Sequence, residues 1–208
     1  MLISKEKLML DLEAMQEIFR LQRKLNIHTL ANAGKDFEST IHDPDKKCTW
    51  IENYRKALSA ELAELIREVY DYGIGTPNGK VEIVDMLHFL VSLSQIVGIG
   101  PEDVPSFHVM QNGATFDSCA IRVFLAMDEL QNSVKWKWWA KGGGFKPERA
   151  RNALLDIWQS LALICAVFDL NFADLKKTYV DKNGINFERQ RQNYSEDEEP
   201  IYNISITV

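Results

Sequence analysis

The sequence predicts an all-α fold: one domain over residues 1–208, built as a bundle of about six helices, with a polar C-terminal lid or tail over 181–208. Two observations predict it. Apolar residues recur at three- and four-residue steps along most of the chain, which is the period of one helix face. No run of strand-like alternation appears before the β-favouring end, Ile204-Ser-Ile-Thr-Val. At 208 residues and 46% apolar content the chain is long enough to bury one substantial core.

The elements follow in order. From Lys5 to about Ala31, Leu8, Leu12, Met15, Phe19 and Leu25 mark the apolar stripe of a first long helix, and Gln22 and Asn26 share one face of it at i,i+4. Amides beside a buried stripe can read the edge of a base, since each offers a donor and an acceptor; a solvated polar stripe is the plainer reading. Residues 33–48 read as a polar loop with Gly34, Asp43-Pro44-Asp45 and Lys46-Lys47. Thr49 and Glu52 have capping-box spacing and predict the start of a second helix running to about Asp71. A third runs from near Lys80 to Val97, where Gly98, Gly100 and Pro101 stop it. A fourth spans Thr115 to about Val134 on Cys119, Val123, Met127 and Leu130. Pro147 opens a fifth, apolar enough to be central, and Asn171 caps a short sixth that ends near Val180.

Two acidic pairs, Glu61/Glu64 and Glu82/Asp85, sit at i,i+3 on the second and third helices. That spacing puts both carboxylates of a pair on one face. A single such pair is usually a solvated face. Here Leu62, Leu65 and Ile66 flank one pair and Ile83, Val84 and Met86 the other, so both helices are expected to be buried. The break from Tyr70 to Gly79 folds the helices against each other, and four carboxylates converge. Hard oxygen ligands of this kind suit Mg²⁺, and also Mn²⁺. His88 and Phe89, three and four residues beyond Asp85, point roughly toward the same place; a histidine beside Leu87 is as often a satisfied core residue.

Charge and cysteine usage narrow the class. A net charge of −6 argues against a general nucleic-acid or anionic-membrane surface, though not against a single nucleotide. Cys48, Cys119 and Cys165 are odd in number and have no partner motif, so neither a disulfide framework nor a zinc site is expected, and a reducing cytoplasm fits. The N-terminal residues mix charges among their apolar side chains, and no stretch reaches the roughly 18 apolar residues of a membrane span. An unprocessed cytoplasmic protein is the expectation. Residues 134–146 place three tryptophans and three glycines in one loop, and 135–151 hold six basic residues against Glu148 alone. That loop reads equally as a phosphate or base contact and as a packing or dimer-interface loop.

With these residues in view the chain resembles the all-α nucleotide pyrophosphohydrolases, and within them the dimeric dUTPases and the related phage dCTP/dUTP pyrophosphatases. The resemblance rests on Glu61-Leu-Ala-Glu64, on Glu82-Ile-Val-Asp85-Met-Leu-His88-Phe89, and on Lys182-Asn-Gly-Ile-Asn186-Phe-Glu-Arg189-Gln190 followed by Tyr194. The last segment departs from the family pattern: Phe187 lies one place back, Glu188 precedes Arg189, and Asn193 stands where glycine is usual. The resemblance implies Mg²⁺-dependent hydrolysis of dUTP, and of dUDP, to dUMP. Glu61, Glu64, Glu82 and Asp85 would be metal ligands, with Glu61 or Glu64 as general base. Gln22, Asn26, His88 and Phe89 would hold base and sugar, and Lys182, Asn186, Arg189 and Tyr194 the phosphates. A homodimer is implied as well. Cleavage of dCTP or another non-standard nucleotide is the second reading, and a non-catalytic helical interaction module the third. The tail over 181–202, short of apolar residues, is expected to be mobile until a polyphosphate orders it.

Overall fold

The computed structural model describes residues 5–107 and 113–192, with residues 5–10 described by backbone alone. Among these residues seven α-helices follow one another: α1 (Lys5–Asn32), α2 (Phe37–His42), α3 (Pro44–Tyr72), α4 (Pro77–Val97), α5 (Phe116–Gln131), α6 (Pro147–Val167) and α7 (Phe172–Arg191). A 3-10 turn at Pro101–Asp103 sits between α4 and α5, and no strand occurs among the described residues. The fold is an all-α bundle. α3 folds back on α4 and α5 on α6, while α1 lies against α4 and α7.

Three boundaries differ from the sequence expectation, each for a local reason. Residues 33–48 are not all loop. Asp36 Oδ1 accepts from Ser39 N at 2.6 Å and starts α2, and Asp43 Oδ1 accepts from Asp45 N at 2.9 Å and Lys46 N at 3.1 Å and starts α3. Pro44 in the first turn has no N–H to satisfy, so Asp43-Pro44 is the stronger start signal and Thr49-Glu52 falls inside the helix. α4 likewise begins one turn early, because Thr76 Oγ1 accepts from Gly79 N at 2.9 Å with Pro77 beside it. This extra turn brings Asn78 onto the face of Glu82.

The third difference is the largest. α7 does not stop near Val180 but runs to Arg191, with Tyr179, Lys182 and Asn183 buried. The first part of the expected mobile lid, 181–191, is therefore packed helix. Buried tyrosine and the pairing of Lys182 with α4 hold it, which a count of apolar residues in the segment does not reveal. The rest of the expected lid, including Tyr194, lies outside the described residues.

The core is continuous across α1, α3, α4, α5, α6 and α7. Trp158 of α6 is its hub: it is fully buried, stacks on Phe19 of α1 with ring centroids 6.3 Å apart, and donates Nε1 to Ser94 Oγ of α4 at 2.9 Å. α4 is buried nearly all round, so its polar residues must find partners inside the protein. That requirement shapes the site.

Candidate active site

A cleft of about 350 Å³ opens between α1, α3, α4 and α7. Glu61 and Glu64 line it from α3, and Glu82 and Asp85 from α4. One carboxylate oxygen each from Glu61, Glu64 and Glu82 lie within 4.8 Å of one another. Glu82 is buried, and Asn78 Nδ2 donates to its Oε1 at 3.1 Å and to Glu68 Oε2 at 3.2 Å, which fixes the carboxylate from behind. Asp85 stands apart from this trio. Its Oδ2 accepts from Lys182 Nζ at 2.8 Å, a pair with side chains only 16% and 9% exposed.

The electrostatics follow from crowding acids into a poorly solvated place. Burial, reinforced by Asp85, Glu64 and Glu82, pushes Glu61 up to about 8. Burial, with Asp85 and Glu64, pushes Glu82 up to about 7. Asp85 is also raised, because burial outweighs the lowering effect of Lys182. Such a set of oxygens holds protons for want of a better cation.

The opposite wall is amide and aromatic. Gln22, Asn26, His88 and Phe89 line the cleft, together with Tyr54, whose hydroxyl burial pushes up to about 12. Gln22 and Asn26 are not a solvated stripe: they are 4% and 2% exposed. Gln22 Nε2 donates to Asn26 Oδ1 and to Ser92 Oγ, both at 3.0 Å. Tyr179 OH donates to Gln22 Oε1 at 2.6 Å, and the Tyr179 ring stacks on His88 with centroids 4.1 Å apart. Complete burial lowers His88 to about 3, so its imidazole is neutral at physiological pH.

The third wall is the last three turns of α7, which contribute Lys182, Asn186, Arg189 and Gln190. The structure thus places eleven of the twelve candidate residues around one cleft, Tyr194 being outside the described residues. No residue of the tryptophan-rich loop lines it; Trp138 and Trp139 are exposed and pack edge to face on each other.

A family model described as dUTPase matches residues 14–194, most of the chain. The chain belongs to the dUTPase family. As a member it is a dUTPase-like nucleotide pyrophosphohydrolase, which removes the reading of a non-catalytic interaction module. No curated protein matched the chain. Several residues of this dUTPase-family cleft and of the hydrogen-bond network behind it carry no signal in the sequence that singles them out. Tyr54 was readable in principle, since it lies two turns before Glu61 on the same face of α3. Ser92 and Gln95 were signalled only as polar interruptions of an apolar helix, and nothing local marked Tyr179 as a partner of Gln22.

Proposed function

We propose that the protein hydrolyses dUTP, and dUDP, to dUMP with Mg²⁺ or Mn²⁺ held by Glu61, Glu64, Glu82 and Asp85. The observation that carries this reading is the convergence of three carboxylate oxygens within 4.8 Å in a cleft whose other walls hold an amide network and the cations of α7. The residues fit such an ion. All donors are hard carboxylate oxygens, and burial together with the neighbouring acids disfavours ionisation of Glu61 and Glu82, a cost that a divalent cation would relieve. When bound, the ion supplies Lewis acidity to the phosphate oxygens and charge to offset the departing pyrophosphate.

The chain's own groups do the rest. The base enters against Gln22, Asn26, His88 and Phe89, which leaves the polyphosphate between the α3–α4 carboxylates and α7. Lys182 pairs with Asp85 through one N–H, and its ammonium has two further donors for phosphate. Asn186 and Arg189, one and two turns further along α7, contact the same oxygens, and Tyr194 is assigned to them as well. Water attacks the α-phosphorus, its proton passes to Glu61 or Glu64, and the bond to the bridging oxygen breaks to release pyrophosphate; from dUDP the leaving group is phosphate.

Incubation with dUTP and Mg²⁺ followed by chromatography tests this: dUMP and pyrophosphate are expected. Absence of a monophosphate from every pyrimidine deoxynucleoside triphosphate would end the proposal. Cleavage of dCTP instead keeps the chemistry and changes the base. We also infer a homodimer and a cytoplasmic, membrane-free setting. No single described helix is long and apolar enough to cross a membrane. The surface that favours a second copy is on α5, where Ile121, Phe124 and Leu125 are 59%, 63% and 58% exposed.

A further inference from the structure

The amides of the cleft could in principle present either end to a base, and a chain of hydrogen bonds removes that freedom. Its anchor is the backbone carbonyl of Phe19, which can only accept. Gln95 Nε2 donates to it at 2.7 Å. Gln95 therefore turns Oε1 toward Asn26, and Asn26 has to answer with a donor, Nδ2, at 3.3 Å. Asn26 Oδ1 then faces inward and takes Gln22 Nε2 at 3.0 Å. Gln22 Oε1 in turn accepts from Tyr179 OH at 2.6 Å, and the His88 Nδ1 lying 2.8 Å from that oxygen must carry the ring's one proton.

A second anchor gives the same direction. The single proton of Ser92 Oγ goes to His88 O at 3.0 Å or to Asn26 Oδ1 at 3.1 Å. Both only accept, so in either case Ser92 is left to accept from Gln22 Nε2 at 3.0 Å. Reversing any one amide would set two donors or two acceptors face to face, in a place from which Gln22, Asn26, His88, Ser92 and Tyr179 exclude water by burial. Gln22 has then engaged both its N–H groups and both lone pairs. Asn26 has engaged its oxygen and one N–H. Tyr54 OH also donates to Asn26 Oδ1 at 3.4 Å, and His88 Nε2, the ring's acceptor, is buried without a partner among the described residues. Of the two amides, what is left for the cleft is one N–H of Asn26.

We propose that Gln95, which does not line the cleft, is the positioning residue that sets the hydrogen-bond polarity of the base subsite. By holding Asn26 as a donor it makes the subsite accept a pyrimidine edge ending in a carbonyl oxygen and disfavour one ending in an amino group. The proposal rests on reading the cleft as a nucleotide site, and it supplies a reason for uracil over cytosine that residue identities alone do not. An amino group brought against Asn26 Nδ2 leaves two donors opposed, and two donors cannot satisfy each other.

Two measurements test it. Imidazole ¹⁵N shifts of the wild-type protein, free of nucleotide and metal, are expected to show His88 as the Nδ1–H tautomer; an Nε2–H tautomer would overturn the polarity. Gln95→Met releases Asn26 without lining the cleft differently. It is expected to lower the ratio of kcat/KM for dUTP over dCTP at least tenfold, through KM and with kcat for dUTP within about threefold, and to mix the His88 tautomers. An unchanged ratio in a folded variant overturns the assignment to Gln95. If Gln95→Met does not fold, the wild-type tautomer still decides. The two readings fail differently. Wild-type protein that cleaves dUTP and dCTP equally well, or prefers dCTP, overturns the polarity and keeps the nucleotide site, whereas no hydrolysis of either ends both.

Discussion

Glu61 shows at the scale of one residue how burial and chemistry are connected. Its carboxyl is pushed to about 8 by burial and by the acids around it, against an ordinary value of 4.5. A raised folded-state value means that the folded protein binds more protons than the unfolded chain between those limits. Stability of the metal-free protein is therefore present below about 4.5 and is lost as pH rises through about 8. Thermal melts in chelator are expected to show Tm falling from pH 5 to 8, with Glu64, Glu82, Asp85 and Lys182 as the facing charges. Glu61→Gln removes the group that resists ionisation, so at pH 8 its metal-free Tm should rise by roughly 2–4 °C, the response of a chain this size to about 1 kcal/mol. Its turnover should fall by about two orders of magnitude or more, as loss of a transition-state contact does. A variant that neither gains stability nor loses rate would remove Glu61 from the site. The four acids were legible in the sequence because i,i+3 pairs in apolar helices are uncommon. The direction of the Gln22 and Asn26 amides was not, because it is set by Phe19 O and Gln95, which belong to no local motif.

At the scale of elements, α7 carries the correction that matters most. A segment read as polar and loose is a helix held by Tyr179 in the core and by the Lys182–Asp85 pair. The sequence showed its charges and few apolar residues; it could not show that one buried phenol and one partly buried ion pair would replace a stripe. Removing the ammonium leaves Asp85 poorly solvated and unpaired, which costs about 3 kcal/mol in a buried pair. Lys182→Met is thus expected to melt lower in chelator and to recover most of the difference in Mg²⁺, since a cation beside Asp85 replaces the lost charge. Equal destabilisation with and without Mg²⁺ would separate Asp85 from the metal site. Arg189→Ala is expected to behave differently, lowering kcat/KM about a hundredfold while its Tm and its Mg²⁺-induced shift stay within about 1 °C of wild type. Helix starts carry the same lesson. Thr49 and Glu52 fit the capping pattern, yet Asp43 with Pro44 satisfies the orphan N–H groups nearly two turns earlier, and the earlier start wins because the chain before Thr49 can also be helical.

At the scale of the molecule, α3–α4 and α5–α6 are two hairpins of one kind. α4 ends with Ile99 N donating to Ser94 O at 2.8 Å beside Gly98 at φ 89°, and α6 ends with Leu170 N donating to Cys165 O at 2.9 Å beside Asp169 at φ 51°. Laying Gly98 on Asp169 puts Glu82 and Asp85 on Ala153 and Asp156, so the second hairpin repeats the architecture without the full acid set. The first hairpin is covered by α1 and α7; among the described residues no element covers the outer face of the second. The broad apolar faces of α1, α4 and α6 form the core. The uncovered face is on α5, where Ile121, Phe124 and Leu125 fall at i, i+3 and i+4 on one side. Apolarity told which residues avoid water, not which of them a single chain could cover. Three large side chains on one stripe, next to a groove of about 230 Å³ lined by Arg122, Leu125 and Glu129, give a knob and a hole that two copies can exchange about a two-fold axis. Light scattering is expected to give twice the 23.9 kDa chain mass. Phe124→Glu places a charge at the centre of that contact and should shift the mass to one chain, with helical circular dichroism and the Mg²⁺-induced rise in Tm retained, because none of the three residues lines the cleft. A wild-type mass near 23.9 kDa across micromolar concentrations refutes the dimer, and a Phe124→Glu protein that stays dimeric moves the interface off α5.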